Sequence, residues 1–85
     1  MIHVEEHRYV QEHGALCFRF DNNAVLVYGS GVLPGTDVPS IRFIHSAGFK
    51  DLTEYLGAQK IARDYAQGLG FQTVQSLFDY LRGVI

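Results

Sequence analysis

Between Leu16 and Asp21 the chain alternates, with Leu16, Phe18 and Phe20 apolar and Cys17, Arg19 and Asp21 between them. A period of two marks a strand with one buried face. Asp21-Asn22-Asn23 follows and predicts a turn, because Asn and Asp tolerate positive φ and bond to nearby backbone. Ala24–Tyr28 is a nearly continuous apolar run, which predicts a central strand buried on both faces, ended by Tyr28-Gly29-Ser30-Gly31. A fourth strand, Ile41–His45, places Ile41, Phe43 and His45 on one side and Arg42 and Ile44 on the other.

The first residues fit two patterns. Glu5, Glu6, Arg8, Gln11 and Glu12 favour helix by propensity, yet Ile2, Val4, Tyr9 and Val10 make no helical stripe. A strand with Ile2, Val4 and Val10 on one face is the better fit, turned by His13-Gly14 into the next strand. From residue 49 onward the period becomes helical. Ser46 or Asp51 can cap the first helix, and Asp51 with Glu54 has capping-box spacing. Leu52, Tyr55, Leu56, Ala62, Ala66 and Leu69 form its expected buried face, and Gly68 and Gly70 end it. Ala58, Ala62 and Ala66 make a ridge that admits a close neighbour. Thr73 caps a second helix with Val74, Leu77, Phe78 and Leu81 inward, stopped by Gly83. The linker Gly68–Gln72 predicts a corner or antiparallel helix pair.

The expected architecture is therefore α+β: a four-stranded antiparallel sheet, then two C-terminal helices packed on one face, with residues 1–85 as a single domain. The helices are expected to cover Leu16, Phe18, Phe20, Ile41 and Phe43. The other face of the sheet then stays open unless the first residues form a helix over it. It would carry Cys17, Arg19, Arg42 and Ile44, with either Ala24, Leu26 and Tyr28 or Val25 and Val27. Aliphatics mixed with tyrosine and arginine are typical of protein interfaces.

Composition narrows the function classes. Apolar residues make up 47% and charged residues 19%, which suits a folded chain rather than a disordered one. A core of this size is marginal: burial contributes on the order of 130 kcal/mol and chain ordering costs about the same. A partner or a second copy would add to it. The net charge is −2 and the pI near 6.0, which argues against a dedicated nucleic-acid binder. The second helix offers Gln72, Gln75, Ser76, Asp79 and Arg82, with too little positive charge for a recognition helix. Residues 1–40 carry five acids and two bases (−3), and residues 41–85 carry four acids and five bases (+1). No stretch reaches the roughly 20 apolar residues of a membrane helix. Cys17 is the single cysteine, so no internal disulfide can form. MIHVEEHRYV lacks the basic and long apolar parts of a secretory signal, and a reducing cytoplasm is the expected home.

Candidate chemistry is sparse. His3, Glu5 and His7 would share one strand face and suit zinc or iron, but the same pattern is a solvated polar edge, and no metal or cofactor is expected. Residues 29–36, Gly-Ser-Gly-Val-Leu-Pro-Gly-Thr, resemble a phosphate loop only superficially, since prolines intervene and a strand follows. The connection, roughly 11 residues long, exceeds a usual hairpin loop. Its Val32, Leu33 and Val38 should either pack under the sheet or make contacts. Cys17 and His45 could pair only if brought together, so no catalytic residue is assigned.

The hairpin Phe18-Arg19-Phe20-Asp21-Asn22-Asn23-Ala24-Val25-Leu26-Val27-Tyr28-Gly29-Ser30-Gly31 resembles one in a phage-encoded anti-CRISPR protein of the type I-F class. It shares an aromatic-Asp-x-Asn turn, a Val-Leu pair and a Ser-Gly end, over under a fifth of the chain. The resemblance implies a small inhibitor that docks on a larger host complex. That family member is an acidic mimic of DNA, a surface that nine acids against seven bases do not supply.

The expected function is a non-enzymatic protein-binding module, binding another protein or itself as a homodimer, through Arg19, Tyr28, Val32, Leu33, Arg42 and Ile44. The competing reading is a small-ligand or enzymatic site under the loop 29–36, near Tyr28, His45 and Ser46.

Overall fold

The computed structural model describes residues 2–84, without the side chains of Pro39, Phe43 and Val84. Four strands, β1 (Val4–Val10), β2 (Ala15–Phe20), β3 (Val25–Val32) and β4 (Pro39–Ala47), form one antiparallel sheet in chain order. Helices α1 (Leu52–Gly68) and α2 (Val74–Val84) follow. Both lie on one face: Leu16, Phe18, Phe20 and Leu26 are fully buried in one cluster with Ala58, Ala62, Ala66, Val74, Leu77 and Phe78. The α+β architecture read from the sequence is the one observed.

Local chemistry sets the turns. Asn23 takes φ 67° in the β2–β3 turn, and the Ala24 N–H donates to Asn22 Oδ1 at 2.9 Å. Asp51 caps α1 by accepting from the Glu54 N–H at 2.8 Å. Glu54 in turn accepts from the Lys50 N–H and from Asn22 Nδ2, which ties the helix start to the β2–β3 turn. At the other end Gly70, at φ +98°, donates to the Gln67 carbonyl and Phe71 donates to that of Ala66, the Schellman pattern. Thr73 caps α2 through the Ser76 N–H.

Several expectations need correction. β3 does not end at Gly29 but runs on through Gly31 to Val32, and β4 extends beyond Ile41–His45 at both ends. The connection shrinks to Leu33–Val38, closed by the Leu33 N–H to Val38 carbonyl bond. Gly29 and Gly31 fit the strand because side chains of β4 lie across them: a Cβ at Gly29 would stand 3.0 Å from Ile44 Cδ1, and one at Gly31 3.3 Å from Arg42 Cδ. β3 is not buried on both faces throughout: Leu26 is buried inside, while on the outer face Val25 and Val27 are half-buried and Gly29 is covered by Ile44. Along α1, Leu52, Leu56 and Leu69 are exposed rather than buried, because the alanine ridge takes the sheet-facing side and brings the backbone close. α2 passes Gly83. The side chain of Phe43, expected under the helices, lies outside the described residues.

Two bulges re-aim the strands. The β1–β2 register skips at Glu5, so Val4 pairs with Phe20 but Glu6 with Arg19. An extra residue shifts side-chain parity beyond it. His7 therefore turns to the helix side, where Nδ1 shares a 2.7 Å hydrogen bond with the Tyr65 hydroxyl, and Val10 turns away from Val4's side. β4 skips at Ile44 in the same way, and His45 moves to the face opposite Ile41.

Candidate docking face

Among the described residues no helix covers the second face of the sheet, because Val4–Val10 is strand β1 rather than a helix. The registers order this face in rows. Glu6, Arg19, Val25 and Ala47 form the first row, and Arg8, Cys17, Val27 and His45 the next. Val10, Ala15, Gly29 and Arg42 form the third. Ile44, at the β4 bulge, lies over Gly29 and is 46% exposed. The middle is apolar and the charges stand at the margins.

One corner is a small ion cluster. Arg19 donates to Glu5 at 2.8 Å and to Glu6 at 3.2 Å, and those bonds, that to Glu6 foremost, hold its guanidinium above its usual pKa. Both carboxylates are more than half exposed and Arg19 partly so, and the cluster therefore orients charge more than it stabilises the fold. Burial pushes the Cys17 thiol pKa up, partly offset by Arg8.

The six expected contact residues separate. Arg19, Arg42 and Ile44 share the open face. Val32, 60% exposed, and Leu33, 46% exposed, stand at the tip of the β3–β4 hairpin, so packing under the sheet is ruled out for them and for Val38. Tyr28 belongs to the helix side, edge-on to Phe18 at 5.9 Å. Burial there raises its phenol pKa, with a smaller contribution from Tyr55. Sequence reasoning left Val25 and Val27 as one of two alternatives, and missed Val10 and the margin of Glu5, Glu6 and Arg8. Glycines two apart in an apolar run were the available signal, because they mark a strand face crossed by a neighbour's side chains.

The chemical alternatives are not assembled. Tyr28 and Ser46 face the helices while His45 faces outward. Cys17 and His45 share a row, but Val27 stands between them, about two strand spacings or roughly 10 Å. His3 pairs with Asp21 at 3.3 Å, Glu5 with Arg19 and His7 with Tyr65, so the three do not converge. Among the described residues no group of three or more His, Cys, Asp or Glu is placed to hold a metal ion, and no helix is long and apolar enough to cross a membrane. A groove of about 370 Å³ is lined by Ser46 with Gly48, Phe49, Asp51, Leu52 and Tyr55, but by neither Tyr28 nor His45 nor any of residues 29–36. No protein-family model, curated protein or solved structure matches the chain.

Proposed function

We propose that the chain is a small protein-binding module with no chemistry of its own, and that it binds through the open face of its sheet. The observation that carries this reading is the apolar middle of that face, with Val25, Val27 and Cys17 only half-buried and Ile44 exposed over Gly29. Sheets in small domains bury such a face against a second layer. Here the second layer is supplied from outside the fold.

A narrower version, an inhibitor docking on a larger host complex in the cytoplasm, is supported by the hairpin resemblance. That hairpin supplies Arg19, Val25, Val27 and Gly29 to the open face. The test is positional. A photoreactive amino acid at Val27 is expected to give one discrete protein adduct in cells, and Ile44→Asp is expected to abolish it. The same group at Tyr80, exposed on α2, is expected to give none. Equal labelling from both positions, with circular dichroism confirming the fold, counts against the proposal.

A further inference from the structure

We infer that the occupant of the open face is a second copy of this chain, docked across a two-fold axis running diagonally over the sheet. The inference rests on reading that face as a docking surface, and it adds the partner and its orientation. The geometry comes from the registers. Glu5 and Glu6 stand at one corner, on β1 near the β2–β3 turn. Arg42 stands at the diagonally opposite corner, on β4 and level with Ala15 and Val10. The first corner has two carboxylates around the guanidinium of Arg19, a net −1 at the corner itself, with Arg8 one row further along β1 towards the middle of the edge. Arg42 adds +1 and makes no ion pair among the described residues.

Four simple two-folds can stack this face on itself, and charge separates them. An axis along the strands sets Arg42 over Val10. An axis across them stacks Glu6 over Val10. One diagonal sets each acidic corner on its own copy and Arg42 on Arg42. The remaining diagonal sets each Arg42 on the partner's Glu5 and Glu6, twice by symmetry, with the strands crossing near a right angle, one of the two usual sheet packings. In that arrangement Cys17 and Val27 fall at the centre, and Cys17 comes close to its own copy. Packed sheets stand about 10 Å apart, so the two thiols are too distant for a disulfide but within reach of a short bis-maleimide.

The experiment uses the intact chain. Sedimentation velocity from micromolar to millimolar concentration is expected to carry the mass from 9.5 kDa to twice that. A bis-maleimidoethane crosslink at Cys17, the single cysteine, is expected to trap the dimer. Arg42→Glu alone and Glu6→Lys alone reverse one corner each, and each is expected to weaken self-association at least tenfold. Mixed, the two variants restore both contacts, because the carboxylate introduced at 42 meets the ammonium introduced at 6, while the native Arg42 of one chain meets the native Glu5 and Glu6 of the other. Recovery of dimer only in the mixture supports the orientation, with circular dichroism showing each variant folded. A chain still monomeric at millimolar concentration overturns the inference, and so does a dimer that ignores both charge reversals. If Val27 in cells labels a different protein and the chain stays monomeric, the docking face stands and the self-pairing fails. If Val27 labels nothing and the chain stays monomeric, both fail.

Discussion

Gly48 stands at φ +86°, and a Cβ there would lie 2.9 Å from the Cα of Ala24, a fully buried residue at the β2–β3 turn. Left-handed backbone and a backbone clash act together at this one position. Gly48→Ala is expected to cost about 2–4 kcal/mol, read as a lower urea midpoint. An unchanged midpoint would mean the two turns do not touch. Asp21 gives a second residue-scale prediction. Its carboxyl accepts from the His3 backbone N–H, the largest cause, and faces the His3 ring, and both hold its pKa below the usual carboxylate value. A lowered folded pKa gives stability that is complete above the unfolded carboxylate range and lost as pH falls through the folded value. The urea midpoint should therefore begin to decline as pH falls through the ordinary carboxylate range and go on falling down to the lowered folded value, and Asp21→Asn should flatten part of that decline. A variant with the full acid decline would show that this pairing plays no part.

At the scale of elements, α1 separates two ways of reading a helical face. Ala58, Ala62 and Ala66 are fully buried, whereas Leu52 and Leu56, larger and more apolar, are 68% and 53% exposed. Ala62→Leu is expected to lower stability by about 1–3 kcal/mol through overpacking. Leu56→Ala should stay within about 0.5 kcal/mol. The reverse ranking in denaturant melts would place the leucines against the sheet. The alternation of Leu16, Phe18 and Phe20, the Asp51 and Thr73 caps and the Asn23 turn were legible because each is local chemistry. The faces were less legible. An inserted residue at Glu5 or Ile44 leaves composition and spacing unchanged yet moves His7, Val10 and His45 to other sides of the sheet. The His3-Glu5-His7 grouping dissolves for that reason, and Arg42 and Ile44 both reach the open face although Ile44 is the extra residue. Gln75 shows the same limit: its side chain accepts from the Ile41 N–H on the free edge of β4 at 2.7 Å, a long-range contact with no sequence period behind it.

For the whole molecule, size and charge point the same way. A chain this short buries only about 63% of its unfolded surface, so a shared interface is a large addition to its stability. Its acids outnumber its bases in the first forty residues and fall behind in the rest. On the open face Glu5 and Glu6 stand at one end of β1, with Arg19 between them and Arg8 one row on, and Arg42 stands alone at the far end of β4, the local pattern a diagonal two-fold can satisfy. If folding and pairing are linked, unfolding releases two chains from one dimer, and mass action makes melting depend on concentration. Each tenfold rise in concentration should lift the melting temperature by about 4 °C, from about 1.4 kcal/mol spread over two chains. The Arg42→Glu chain, at least tenfold weaker in self-association, should begin that rise only at correspondingly higher concentration. A native chain whose melting temperature is flat across the same range folds alone, and its open face then waits for a different protein.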